Sequence, residues 1–250
     1  MKDSRLIMGM PVIVEIVGGT QESLEKVFDY FRSVDERFST YKPTSEVSLI
    51  NVGEHSHSEY SPEMQEVLKL AEETKHATGG YFDVYTPEGA LDPSGIVKGW
   101  AIKKAAELAG TDGHSNYWVE AGGDIQVSGV NEDGTAWKVG IRNPFNKNEI
   151  VKVVQLHNCG IATSGTYIRG DHIYDPHTGT SASSDIVSLT VIGPDVYEAD
   201  RFATAAFAMG NDGIRFIESL PGFEGYSIDK SGVATMTSGF SVYVEVNSKK

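Results

Sequence analysis

An aspartate and a threonine four residues apart are the side chains best spaced to hold a metal ion. Asp200 and Thr204 fall in the first turns of a predicted helix, where residues i and i+4 share one face. A carboxylate and a hydroxyl directed at one point suit a hard cation such as magnesium, which keeps waters and substrate phosphate as its other ligands. Taken alone, the pair is more typical of a solvated acidic residue near a helix N-terminus, where the dipole favours negative charge.

A second candidate is the turn-rich segment 172–179, which reads His-Ile-Tyr-Asp-Pro-His-Thr-Gly. His172 has Asp171, Asp175 and Thr178 as polar neighbours in the chain. Histidine is the usual general base near neutral pH, and neighbouring carboxylates raise its basicity. A structural histidine that bonds a turn carbonyl is an equally good interpretation of this pattern.

The segment before the third predicted helix combines an acidic residue, a glycine and a lysine. Gly95 leaves a backbone carbonyl accessible, and Lys98 in the first helical turn opposes the helix dipole unless an anion compensates it. A bound phosphate would supply that compensation. Asp92, considered alone, is more often an N-cap or Asx-turn residue than a functional one.

Two glycine pairs, Gly79-Gly80 and Gly122-Gly123, permit positive φ and close approach of a ligand to the backbone. Singly, such pairs are more often tight turns. None follows the spacing of a Walker or dinucleotide fingerprint, which argues against a P-loop NTPase or a Rossmann dehydrogenase.

The composition narrows the class of protein. The chain has 250 residues, 40% hydrophobic and 22% charged, with a formal net charge of -14. That charge disfavours nucleic acid or an anionic membrane as a partner. The single cysteine, Cys159, excludes an internal disulfide and a thiolate metal cluster. No apolar run is long enough to span a bilayer and residues 1–8 lack an export signal, so we expect a cytoplasmic protein without membrane insertion.

Periodic patterns and capping residues predict an α+β fold in one domain, residues 1–250. Predicted helices cover 21–38, the segment from Pro62 (after the N-cap Ser61) to Gly79, 96–108, the segment from the capping pair Asp195 and Glu198 to Gly210, and 213–220. Predicted strands cover 11–17, 117–121, 124–128, 137–142, 151–156, 186–192 and 240–246. Short polar turns such as 131–134 favour antiparallel hairpins, so we expect mostly antiparallel sheets with flanking helices.

In this order, the motifs resemble those of the ApbE family of FAD:protein FMN transferases. The resemblance runs from near the N-terminus to about Gly210 and is carried by Met8-Gly9-Met10 and by residues 38–41, 79–84, 92–101, 121–124, 162–165, 172–179 and 199–210. It implies a T-fold-related architecture. It also implies a reaction in which FAD is split at its diphosphate, FMN is joined to a Thr or Ser of an acceptor flavoprotein, and AMP leaves.

The resemblance also implies roles for individual residues. Asp200 and Thr204 match the family's magnesium ligands, with the backbone at Gly95 completing the site. His172 matches the histidine of the HxxDPxTG motif and is our choice for the base, with Asp175 as the alternative. The positions that match the family's FAD pocket are Met8, Tyr41, Tyr81, Phe82, Asp83, Asp92, Lys98 and Tyr174. Tyr41, Tyr81 and Phe82 would offer flat apolar surface to a flavin or adenine ring.

Two departures from the family pattern leave the number of magnesium ions open: Ser94-Gly95 replaces a common glycine pair, and Ala203 stands where an acidic residue can occur. Two other functions also fit these residues. One is an FAD diphosphatase that passes the phosphoryl group to water and releases FMN and AMP. The other is a non-catalytic FAD carrier, which has no need of the cation or the base.

Overall fold

An antiparallel sheet organises the protein in the residues that the computed structural model describes, which are 1–111, 113–166, 174–181 and 184–244. Its eight strands there are β1 (Lys2–Ile7), β2 (Met10–Ile16), β3 (Tyr117–Ala121), β4 (Asp124–Ser128), β7 (Cys159–Gly165), β10 (Ile186–Gly193), β11 (Glu224–Asp229) and β12 (Ala234–Met236), which pair in that order. Two separate hairpins are β5 (Trp137–Asn143) with β6 (Asn146–Leu156), and β8 (Tyr174–Asp175) with β9 (Thr180–Ser181).

Several helices begin at side-chain caps, of which Ser61 and Asp195 were predicted from the sequence and Thr20 was not. Thr20, Ser61 and Asp195 each accept a hydrogen bond from the backbone N–H three residues later. In the described residues the helices are α1 (Gln21–Phe38), α2 (Glu46–Asn51), α3 (Pro62–Ala77), α4 (Ser94–Thr111), α5 (Val196–Ala208) and α6 (Gly213–Ser219). Within this part of the chain, none of them is both long and apolar enough to cross a membrane.

The two faces of the sheet carry different cores, because side chains alternate along each strand. Val119 of β3 and Ala162 of β7 face the helices, whereas Trp118 and Ile161, one residue away in each strand, face the β5–β6 hairpin. The helices thus cover one face of the sheet and the hairpin covers the other. Asp124 lies at the first position of β4, on the helical side, and this places a carboxylate under the helices.

The predicted α+β class is confirmed, and every strand pair in the described residues is antiparallel. The third helix was placed too short: it begins at Ser94 and continues through Gly110 to Thr111. The strand predicted at 240–246 is wrong, since Phe240–Tyr243 forms a 3₁₀ turn that buries Phe240. Residues 245 and 246 lie outside the described residues.

The turn at 131–134 forms as predicted, with Gly134 N–H donating to the Asn131 carbonyl at 3.0 Å. It does not close a hairpin, however, because it connects β4 of the large sheet to β5 of the separate hairpin. Strands β1, β7, β8, β9, β11 and β12 were not predicted. β7 has the sequence CGIATSG, whose glycines and small polar residues weaken the strand signal.

The N-terminus of α5 is fixed onto the sheet by a buried amide. Gln126 Oε1 accepts the Val196 N–H at 2.8 Å, while its Nε2 donates to the Cys159 carbonyl at 3.1 Å. Gly160 of β7 lies directly beneath, where a Cβ would come within 2.0 Å of the Val196 nitrogen. The close approach requires glycine, and it determines where the side chains of α5 are placed over the sheet.

We therefore expect Gly160→Ala to displace α5 and to lower the free energy of unfolding by about 1–3 kcal/mol, as overpacking does in other cores. Urea denaturation followed by circular dichroism measures the change. Gly110→Ala is the matched control, because the new Cβ would lie 3.8 Å from Tyr117 Cε1, an ordinary contact, and alanine is the better helix former. Equal stability of Gly160→Ala and the wild type would contradict this account of α5 placement.

Candidate functional site

The predicted metal ligands come together where α4 and α5 touch. Two glycines of α4, Gly95 and Gly99, face Thr204 and Asp200 of α5. A Cβ on Gly95 would lie 3.6 Å from Thr204 Cγ2, and one on Gly99 would lie 2.7 Å from Asp200 Cβ. Glycines four residues apart on α4 thus meet oxygen-bearing side chains four residues apart on α5, and the backbone of α4 reaches the site.

Asp200 is the buried carboxylate of this contact, with 2% of its surface exposed. Its Oδ2 accepts the Gly99 N–H at 2.8 Å, and its Oδ1 lies 3.4 Å from Lys98 Nζ. Burial raises the pKa of Asp200, and Asp124 raises it further, while the ammonium of Lys98 and the Gly99 N–H oppose both effects. The carboxylate depends on nearby positive charge to stay ionised.

Asp124 is a site residue to which the sequence analysis assigned no role. It is 1% exposed, its Oδ1 accepts the Thr163 N–H at 3.0 Å, and its Oδ2 lies 2.5 Å from Lys98 Nζ. The only sequence signal was its place after Gly122-Gly123, because its partners Lys98 and Thr163 are distant in the chain. Lys98, for which a phosphate was the expected counter-charge, already contacts two carboxylates.

The charge balance of this cluster suits a divalent cation. Two buried carboxylates face one ammonium, and Asp124 Oδ2 receives no hydrogen bond of acceptable geometry within the described part of the chain. No group of three or more His, Cys, Asp or Glu side chains that could hold a metal occurs in that part either. The Gly95 backbone, Asp200 and Thr204 would supply few oxygens, which fits magnesium with waters and phosphate as further ligands.

The segment after α3 supplies the aromatic residues. Phe82 is 4% exposed, and its ring lies 3.2 Å from the Cβ position of Gly95. The ring packs against the start of α4 and is almost fully buried. In this structure it therefore lacks the open stacking face that was expected of it. Tyr81 is partly exposed and makes an edge contact with His177 at 4.4 Å between ring centroids.

Three other predicted pocket residues share an acidic neighbourhood. Asp83 accepts from Lys75 Nζ at 2.6 Å, and Asp92 accepts the Ser94 N–H at 3.0 Å in the Asx-turn manner that was weighed against a functional role. The Tyr174 hydroxyl donates to the Tyr85 carbonyl at 2.5 Å. Burial raises the pKa of Tyr174 to about 12, with contributions from Asp83, Asp92 and Glu88. An anionic ligand entering here would need a cation beside it.

The remaining predicted residues are more scattered. Met8 and Gly9 form the two-residue turn between β1 and β2, with φ of 55° and 71°, as expected of a type I′ hairpin. Tyr41 lies in the loop after α1 and is 94% exposed. Asp175 belongs to the β8–β9 hairpin, and His172 lies outside the described residues. The role of His172 as base stays a prediction.

A cavity of about 580 Å³ approaches the cluster from the hairpin side. Asp124, Gly123 and Thr163 line it, as do Glu120 and Arg142. Burial raises the pKa of Glu120, an effect opposed by the Trp118 indole N–H and by the positive charge of Arg142. Neither residue was predicted from the sequence.

Known proteins share both the sequence pattern and the fold. A protein called FAD:protein FMN transferase from Vibrio cholerae is 35% identical over 135 residues, which cover 50% of this chain. A protein of the same name from Escherichia coli K12 is 33% identical over 161 residues, which cover 61% of this chain. The matches cover 40% and 46% of those relatives, so the chain spans less than half of their length.

Solved structures extend the likeness over nearly the whole chain. The flavin transferase ApbE from Vibrio cholerae has 25% identity and a TM-score of 0.84, and covers 97% of this chain and 98% of its own. The ApbE protein from Thermotoga maritima, at 22% identity, shares the fold with a TM-score of 0.85 over 98% of this chain and 99% of its own. The sequence profile of the ApbE family matches residues 8–88 and 85–227. The chain therefore belongs to the ApbE family.

Proposed function

We propose that the protein is an enzyme, a magnesium-dependent FAD:protein FMN transferase. In the proposed reaction a Thr or Ser hydroxyl of an acceptor flavoprotein forms a phosphodiester with FMN, and AMP leaves. The names of the relatives support this class of reaction. The observation on which the proposal rests is the buried cluster of Asp200, Asp124 and Lys98 beside Thr204 and the Gly95 backbone.

The described residues would hold and orient the diphosphate. Magnesium bound by the Gly95 carbonyl, Asp200 and Thr204 would neutralise charge that otherwise repels the nucleophile and builds up on the leaving AMP. The Gly99 N–H holds Asp200 Oδ2 in place, so the carboxylate needs little reorganisation when a ligand binds. Lys98, already between two carboxylates, would add positive charge near the bound phosphates.

The proposed step conserves atoms and charge. The acceptor oxygen forms a bond to the FMN phosphorus, the bond from that phosphorus to the bridging oxygen breaks, and AMP leaves with the electron pair. His172, or Asp175 as the alternative, would take the proton of the incoming hydroxyl. The cavity at Asp124, Glu120 and Arg142 supports the proposal because it gives a second substrate an approach from the hairpin side.

A product assay tests the reaction class. The protein is incubated with FAD, magnesium and a threonine-containing peptide from a candidate acceptor flavoprotein, and the peptide is analysed by mass spectrometry. We expect FMN on the peptide threonine and free AMP. Free FMN and AMP without a modified peptide would instead indicate an FAD diphosphatase, and intact FAD after long incubation would indicate a carrier.

We further propose that residues 1–250 act as one domain. The support is that strands from Lys2 to Met236 join one sheet, and that residues far apart in the chain form the candidate site.

Of the predictions for the candidate site, the first concerns the metal ligand. Asp200→Ala should abolish transfer and weaken FAD binding, because the cation loses its charged ligand. FAD affinity and the transfer rate are measured with and without magnesium. Asp212→Ala is the control, since Asp212 carries a side chain that is 80% exposed and pairs only with Arg215 among the described residues. Wild-type turnover in Asp200→Ala would rule out this metal site.

The second prediction concerns the metal itself. Excess EDTA should stop FMN transfer, and added magnesium should restore it, because the diphosphate charge is otherwise neutralised by Lys98 alone within the described cluster. The rate is followed by AMP release. Full activity in excess chelator would exclude a metal role.

The third prediction concerns the base. His172→Ala should retain FAD yet slow transfer by about 10²–10⁴-fold, the loss typical of a general base. Single-turnover rates and FAD affinity are measured together, with His76→Ala, at an exposed position of α3, as the control. An unchanged transfer rate would move the proposed role to Asp175.

A further inference from the structure

The two buried carboxylates of the cluster share one lysine unequally. Lys98 Nζ lies 2.5 Å from Asp124 Oδ2 but 3.4 Å from Asp200 Oδ1. Both carboxylates are almost fully buried, whereas the lysine side chain keeps 20% of its surface exposed. The ammonium therefore contacts Asp124 closely and Asp200 only loosely.

Lys98 is the member of this cluster that can shift, because each carboxylate is tied to the backbone of another element. Asp124 Oδ1, on β4, accepts the Thr163 N–H of β7 at 3.0 Å. Asp200 Oδ2, on α5, accepts the Gly99 N–H of α4 at 2.8 Å. The lysine carries its charge on a flexible four-carbon stem. The place of the ammonium is therefore determined by how strongly each fixed carboxylate attracts it.

We propose that Asp124 is a positioning residue that draws the Lys98 ammonium away from Asp200, so that Asp200 Oδ1 stays available to a divalent cation. Asp124 acts through Lys98 in this account and contacts neither the metal nor FAD. This role rests on the function proposed above, in which Asp200 is a magnesium ligand.

Charge, rather than a directed hydrogen bond, holds the ammonium at Asp124. Asp124 Oδ2 receives no hydrogen bond of good geometry from the part of the chain that the structure describes, although Lys98 Nζ lies 2.5 Å away. A neutral side chain at this position would lose that attraction. Because a buried charge is costly unless it is paired, the ammonium would then move closer to Asp200. Lys98 would have to be displaced before Asp200 could bind a cation.

The charge count of the cluster agrees with this role. Two carboxylates and one ammonium leave one negative charge, which favours a divalent cation. After a divalent ion binds, one positive charge remains for the anionic phosphates. Without the carboxylate of Asp124, Lys98 and Asp200 would form a neutral pair with no excess charge to attract a metal.

Metal binding in the absence of FAD and acceptor tests the proposal. Mn²⁺ replaces magnesium as the probe, and its free concentration is followed by electron paramagnetic resonance. Asp124→Asn keeps an oxygen for the Thr163 N–H but removes the charge. We expect it to weaken Mn²⁺ binding on the order of tenfold, within the range measured for coupled neighbours. Equal Mn²⁺ affinity in Asp124→Asn and the wild type would refute the proposal.

Asp195→Asn is the matched control for the lost charge. Asp195 Oδ2 pairs with Lys103 of the same helix α4 at 2.7 Å, so the substitution also removes a carboxylate from a lysine of α4. Asparagine still caps α5 as well as aspartate does. We expect Asp195→Asn to bind Mn²⁺ like the wild type. A loss as large as that in Asp124→Asn would mean that overall charge, and not the position of Lys98, governs metal affinity.

A double-mutant cycle separates an effect through Lys98 from a direct effect on the metal. Lys98→Met removes the ammonium, and Asp124→Asn is then introduced into that background. If Asp124 acts by holding Lys98, most of its effect on Mn²⁺ affinity should disappear once the ammonium is gone. The same loss in both backgrounds would show that Asp124 acts on the cation directly, and the proposal would be wrong.

A crystal structure of Asp124→Asn without metal tests the position of the lysine itself. We expect Lys98 Nζ to approach Asp200 Oδ1 to about 2.7–2.9 Å, the usual length of a charge-assisted hydrogen bond. An unchanged separation of 3.4 Å would overturn the proposal, whatever the Mn²⁺ result. Failure of the wild-type protein to bind Mn²⁺ would count against the metal site of the proposed function, and the position of Lys98 would then decide the role of Asp124.

Discussion

The close contact between α4 and α5 is the constraint on which the candidate site depends. It requires glycine at 99, where a Cβ would come within 2.7 Å of Asp200 Cβ, while a Cβ at 95 would crowd the Phe82 ring at 3.2 Å. Because the helices are so close, the Gly99 N–H donates to the carboxylate of Asp200, which is almost fully removed from water. Burying a charge is costly unless it is paired and hydrogen-bonded. Lys98, one residue before Gly99, supplies the charge, so one stretch of α4 provides the space, the donor and the counter-ion.

The sheet determines where this contact forms. Gln126 and Gly160, on neighbouring strands, receive the first turn of α5, while Asp124, two residues before Gln126, faces Lys98. Because side chains alternate along β4, Asp124 and Gln126 project to the same face. The same short strand therefore fixes the start of α5 and provides the second carboxylate of the cluster.

The electrostatics explain how an acidic protein would bind an anionic dinucleotide. The chain has a net charge of -14, and acidic residues gather around Tyr174 and around Lys98. A negative surface does not attract FAD at long range. Binding would instead depend on local cations, namely Lys98 and the divalent ion proposed at Asp200. The affinity would then be sensitive to magnesium.

The sequence by itself determined the elements whose signals are local. The apolar face of residues 21–38 specified α1, and the caps Ser61 and Asp195 specified α3 and α5. The spacing of Asp200 and Thr204 placed both on one helical face. Tertiary structure decided what those faces meet. Lys98 and Asp124, or His177 and Gly79, are far apart in the chain, so no local pattern predicts their contact. Likewise, the turn at 131–134 was visible, but pairing across the sheet decided that it leads to a different hairpin, because strand partners are chosen by long-range packing.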